Sequence, residues 1–223
     1  MFKTVIRDLV FGLEDGLVSN LGLVLAVYIG GGNSFAIILA GLASMFTGAF
    51  SMSAGSYLSA KSQREVYEHE IAATKDELQN SPKKALREMR TLLKKEGFDP
   101  DEVTAITHHF EKHNRSTFVI NYIQKKLGLS EDRFDLPLRN AFTMFFSFLL
   151  GSFFPIIPFI FSTGNFAALT AVILTISMLF IVGWLKSKYT KLGWFKSGME
   201  IVVIGVGAAV LGYLVGWAVR VIF

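Results

Sequence analysis

The sequence predicts an all-α membrane protein: five transmembrane helices with a cytoplasmic helical insert between helices 2 and 3. Three observations carry that reading. Of the 223 residues, 52% are hydrophobic, and a mean hydropathy of +0.45 is too apolar for an ordinary soluble domain. The apolar residues gather into five runs, at about 10–30, 35–59, 136–162, 166–185 and 199–222. Each is long enough to cross a hydrocarbon core of roughly 30 Å at about 1.5 Å per residue. Finally, of 22 basic residues all but Arg220 fall on one side of those runs.

Span one follows Lys3 and Arg7. A cleavable leader would have to hold Glu14 and Asp15 in its apolar region, so the run is expected to remain as a span. Two uncharged links, Gly30-Gly31-Gly32-Asn33 and Ser162-Thr163-Gly164-Asn165, join spans one to two and three to four. Fifteen Lys/Arg, counting Arg139, stand between span two and the body of span three, and Lys186, Lys188, Lys191 and Lys196 separate spans four and five. The positive-inside rule then puts the N-terminus and the insert in the cytoplasm and the C-terminus outside. The net charge of +4 is thereby explained by topology, and nucleic acid is not an expected partner. The chain divides into residues 1–61 (helices 1–2), 62–134 (the insert) and 135–223 (helices 3–5). Pro155 and Pro158 predict a kink near the outer end of span three. Gly212 and Gly216 give span five a packing edge, and Glu200 opens it at the cytoplasmic surface.

The insert reads as helices. No Gly or Pro interrupts Lys61–Gln79, so span two is expected to run on into it. Ser81-Pro82 has the form of a helix cap and first residue, Gly97 is a stop, and Asp99-Pro100-Asp101-Glu102 forms a capping box. A last amphipathic helix covers Ser116 to Leu127 and ends at Gly128. Glu65, Glu68 and His69 share one helix face; Glu77 lies across the Ser81-Pro82 turn from Glu88. These side chains could bind a divalent cation, or form a solvated surface of Lys–Glu pairs. His109 and His113 have zinc-compatible spacing, but no acid completes a zinc motif. Asn114-Arg115-Ser116 matches a glycosylation sequon, which a cytoplasmic insert would not expose to the enzyme.

Span one carries the candidate site. Asp15 sits among Gly12, Gly16 and Ser19 on one helix face, with Gly22 and Ala26 continuing the stripe. An acid inside a span is costly and is by default functional; the plainer alternative is a packing stripe that tolerates it. Span two is rich in small residues and Met, with Met45, Gly48, Met52, Gly55, Ser56 and Ser59 on one face. Asp15 lies eight residues in from Arg7 and Met52 nine in from Lys61, so both sit roughly 12–14 Å from the cytoplasmic helix ends. A carboxylate and a thioether at one depth make a candidate metal site.

Asp15-Gly16-Leu17-Val18-Ser19-Asn20, Gly48-Ala49-Phe50-Ser51-Met52-Ser53-Ala54-Gly55, Ser62-Gln63-Arg64-Glu65 and Leu127-Gly128-Leu129 together resemble the vacuolar iron transporter family, over essentially the whole chain. The resemblance implies a homodimeric, proton-driven exporter of ferrous iron, often also of manganese, with helix one of each subunit lining a pore on the two-fold axis. It places the transport aspartate at Asp15 and the transport methionine at Met52, and gives the insert metal-collecting glutamates. Glu77 and Glu88 fit those positions. Ala85, Tyr122 and Lys126 stand where two further glutamates and a methionine would be expected, and Ser56 where helix two commonly has glutamate. The expected metal set is thus Asp15 and Met52 in the pore, with Glu65, Glu68, Glu77 and Glu88 on a weakened insert.

Desolvation favours the neutral form of such an acid, and a bound dication the ionised form, so metal and proton compete for one carboxylate, as antiport requires. One chain offers too few ligands for iron or manganese, which take about six, and a dimer would double them. No cofactor is implied; Fe2+ or Mn2+ is cargo. A thiol enzyme is excluded because there is no Cys, and a Ser–His membrane hydrolase because all four His lie in the insert. The chain is therefore expected not to be an enzyme. The alternatives are a transporter of another divalent cation and a membrane metal sensor or scaffold without flux.

Overall fold

The computed structural model describes residues 2–113, 115–128, 136–191 and 193–222. Asn114 of the sequon and Leu129 of the last motif lie outside them, as does the side chain of His113. Among the described residues the regular structure is wholly helical: α1 (Phe2–Ile29), α2 (Ser34–Asn80), α3 (Pro82–Lys95), α4 (Pro100–His113), α5 (Arg115–Leu127), α6 (Pro137–Phe161), α7 (Gly164–Thr190) and α8 (Trp194–Ile222). Five of these, α1, α2, α6, α7 and α8, are long and apolar enough to cross a membrane. Their ends overrun the apolar runs because the main-chain ladder continues through polar residues that remain good helix formers. Span two and the first insert helix are one element of 47 residues, as the absence of Gly and Pro predicts.

The chain clusters into two compact units, one built on residues 59–135 and the other on 2–58 with 136–223. In the membrane unit α1 packs against α6, α7 and α8. One apolar cluster joins Leu21, Val24, Ile37, Met45, Ile156, Phe159 and Ala171; a second joins Leu17, Leu179, Val182 and Ile201. The outward face is also apolar, with Phe35 74% and Phe161 84% exposed. So much uncovered aromatic surface belongs in lipid, not water. Pro155 and Pro158 lie inside α6, where each removes one ladder donor.

The insert unit closes α3, α4 and α5 onto the polar end of α2 around Leu78, Met89, Leu93, Val103, Phe118 and Tyr122. Its turns follow the sequence signals. Gly97 and Gly128 take φ of 96° and 66°, which only glycine adopts without strain, and they stop α3 and α5. The Asp99 N–H donates to the Glu102 carboxylate at 2.9 Å, which is half of the expected capping box. Ser81 differs from expectation. It occupies the cap position of α3, yet its side chain makes no capping hydrogen bond, and Pro82 alone marks the helix start.

Candidate functional site

Glycine decides how α1 is seated. A Cβ on Gly12 would lie 2.8 Å from the Ser147 Cβ, and one on Gly16 only 2.5 Å from the Phe148 carbonyl oxygen. Gly151 of α6 answers from the other side, its Cβ position 2.3 Å from the Leu13 oxygen. Further along, Gly212 and Gly216 press on the carbonyls of Gly22 and Ala26. The small-residue stripe thus serves α6 at its start and α8 at its end. Its glycines meet α6 and α8 first, not α2.

Asp15 stands on the flank of this contact, partly exposed in the single chain. Among the described residues its carboxylate makes no hydrogen bond or ion pair, and the Ser19 hydroxyl donates to its backbone oxygen at 2.6 Å. On α2, Gly41 and Gly48 receive the side chains of Ile156 and Phe148 from α6. Met45 is buried in the apolar core, whereas Met52 is partly exposed, and no atom comes within 4 Å of a Cβ placed on Gly55. The two methionines therefore part company, one as core filler and one at an open face.

Three polar residues in the spans went unweighed in the sequence. Asn20, Ser152 and Thr175 are fully buried, and their side-chain polar atoms have no hydrogen-bond partner among the described residues. Asn20 lies in the first-span motif; nothing else in the sequence marks it. Glu14, beside Asp15, lines a cavity of about 630 Å³ with Arg7, Phe11, Lys186 and Tyr189. Lys186 also meets Glu200 at 3.5 Å. This meeting of the α1, α7 and α8 ends is long-range and left no trace in residue spacing.

On the insert the predicted acids separate into two kinds. Glu65 and Glu68 are exposed and pair along their own helix with Lys61 at 3.7 Å and Arg64 at 2.7 Å, as the solvated-surface alternative describes. Glu77 and Glu88 meet across the turn, but with lysines between them. Lys126 lies 2.5 Å from Glu77 and 3.1 Å from Glu88; Lys84 lies 2.6 Å from Glu77 and 3.8 Å from Glu88. The Tyr122 hydroxyl donates to Glu88 at 2.6 Å. Hydrogen bonds from Lys126 and Lys84 hold the Glu77 carboxyl down at about 2, and those from Tyr122 and Lys126 lower Glu88. Burial works against the Lys126 charge, but its bonds to Glu77, Tyr122 and Glu88 prevail and raise it above the usual range. Among the described residues no group of three or more His, Cys, Asp or Glu is placed to hold a metal ion.

Similarity to known proteins is broad. A family model described as the VIT family matches residues 6–217. Vacuolar iron transporter 1 of Eucalyptus grandis is 29% identical over 218 residues, covering 97% of this chain and 87% of its own. Vacuolar iron transporter 1 of Arabidopsis thaliana is 28% identical with 97% and 86% covered, and Protein CCC1 of Saccharomyces cerevisiae is 28% identical with 92% and 66% covered. A match spanning every helix from α1 to α8, on a five-span architecture, leaves one assignment: the chain belongs to the VIT family.

Proposed function

We propose that this chain carries Fe2+, with Mn2+ as a second cargo, out of the cytoplasm in exchange for protons, through a pore on the two-fold axis of a homodimer. Family membership and the iron-transporter names of the relatives support the cargo class. One observation supports the mechanism: Asp15, a carboxylate inside a membrane span, has among the described residues no hydrogen bond or salt bridge to neutralise it. A charge so placed needs a counter-charge, and a dication or a proton supplies it in turn. Met52 adds a thioether, whose softness favours iron over magnesium or calcium. The open Gly55 on α2 offers a second subunit a close approach, and that subunit would contribute a second Asp15 and Met52. On the insert, Glu65 and Glu68, exposed and paired only along their own helix, are the two of the four predicted acids that a passing cation would reach.

The test is dye-reported metal and proton flux in proteoliposomes with an imposed pH gradient. Wild type should move Fe2+ and Mn2+ with proton counterflow, and Asp15→Asn should lose both while staying folded. Coupled transport surviving in Asp15→Asn would overturn the mechanism. A wild type that binds metal without flux would instead favour the sensor or scaffold alternative.

A further inference from the structure

The acid pair on the insert already has its cations. Glu77 ends α2, Glu88 and Lys84 sit on α3, and Tyr122 and Lys126 on α5. The Lys126 ammonium has three donors, and the structure gives it three acceptors: Glu77 at 2.5 Å, Glu88 at 3.1 Å and the Tyr122 oxygen at 3.0 Å. Lys84 takes the outer oxygen of Glu77 at 2.6 Å and approaches that of Glu88 at 3.8 Å. Every carboxylate oxygen therefore faces a cation, and two negative charges are balanced by two positive ones. A dication entering this space would bring two further positive charges to a neutral site, beside an ammonium already bonded to both carboxylates.

The surroundings fix the lysine in place. Tyr122 is fully buried, stacks on Phe118 at a centroid separation of 5.8 Å, and carries Lys126 over its ring at 5.2 Å. Ala85, one turn before Glu88, is also fully buried in the insert core, so that position offers neither a ligand nor space for one. The oxygens of the carboxylate pair are thus taken up by the two lysines, which closes them to a hard cation for as long as the lysines stay.

We propose that Lys126 and Lys84 act as built-in counter-cations, forming a latch that ties α2, α3 and α5 together without metal and closes the Glu77–Glu88 pair to divalent cations. The latch stands whether or not the spans transport. It assigns the insert a constitutive, metal-independent fold, so divalent metal is not what assembles it.

The test uses the full-length protein in lipid nanodiscs with Mn2+ alone as probe, read by the loss of free Mn2+ resonance signal. Glu77→Gln should leave the Mn2+ bound by wild type unchanged, because none of it depends on that carboxylate. Lys126→Met should gain a site at least tenfold tighter than any insert binding in wild type, and adding Glu77→Gln should remove it. Melting followed by circular dichroism should show Lys126→Met destabilised without metal and restored by Mn2+, with Lys126→Arg close to wild type and blind to Mn2+. If Lys126→Met does not fold, Lys84→Met, which leaves the α5 contact intact, takes its place with a smaller gain. Wild-type Mn2+ binding that falls with Glu77→Gln would overturn the proposal, as would folded lysine variants that gain no Mn2+. Neither readout involves flux, so a failed latch and a failed transporter are separate results.

Discussion

Replacing Gly16 by Ala adds one methyl group where the structure has no room for it. Its Cβ would lie 2.5 Å from the Phe148 oxygen, 2.8 Å from the Ser152 nitrogen and 2.9 Å from the Ser152 Oγ, where ordinary contact begins near 3.4 Å. Two of these three atoms are backbone and cannot rotate away, so α1 and α6 must separate locally by roughly 0.5–1 Å, and overpacking of this kind costs about 1–3 kcal/mol. The better helix propensity of Ala returns up to about 1 kcal/mol, leaving a net loss of up to roughly 2 kcal/mol when that return is full. Gly207→Ala is the matched control, since its Cβ would meet nothing within 4 Å. Thermal melts of detergent-solubilised protein, followed by tryptophan emission, should place Gly16→Ala several degrees below wild type and Gly207→Ala at or slightly above it. Because Gly16 adjoins Asp15, iron flux in proteoliposomes should fall as well. If Gly16→Ala melts with or above Gly207→Ala, the account of α1 seated backbone-to-backbone on α6 is wrong.

Met52→Leu keeps volume and apolarity but loses sulfur, so it should lower Fe2+ flux more than Mn2+ flux in the same liposomes; equal losses would remove the thioether from the argument. Lowering pH should loosen the insert. The folded Glu77 carboxyl titrates near 2, below its unfolded value, so its stabilisation is complete above roughly pH 4.5 and fades as pH falls toward 2. Hydrogen exchange along α3 and α5 should accelerate across that window, and in Glu77→Gln the change should be smaller. Cysteines introduced at Lys83 and Thr163, both exposed, should label from opposite membrane faces; labelling from one face would refute the topology.

The spans were legible because membrane burial acts on composition over some twenty residues, and the helix stops because Gly97 and Gly128 are local requirements of φ. Partner choice was not legible. Gly12, Gly16 and Gly22 announce close approach, but the number of small residues is the same whichever helix arrives, and only the assembled bundle sends the first two to α6 and the last to α8. Ser81 had the composition of a cap without becoming one. The Glu77 and Glu88 positions were found, yet their occupant was not, since Lys126 comes from 49 residues beyond Glu77. Periodicity within one helix carries no information about a side chain arriving from another. Asn20 was passed over for a related reason: the burial of a polar amide is a property of the bundle, not of its own segment.

The span glycines that meet a close neighbour include two kinds with different evolutionary freedom. At Gly16, Gly151, Gly212 and Gly216 the nearest atom facing the missing methyl is a backbone carbonyl oxygen. No substitution elsewhere makes a carbonyl smaller, so a larger residue there has no compensating partner, and these sites should stay fixed as the chain drifts. At Gly48 and Gly205 the obstacle is a side chain, the Phe148 ring in one case and Leu179 in the other. Those can shrink. Descendant sequences are therefore free to exchange volume across the second kind of contact, Gly48 growing while Phe148 contracts, and lineages should differ there in pairs. Over long divergence the α1 seams act as the invariant skeleton of the bundle, and the contact of α2 with α6 becomes the place where its shape is renegotiated.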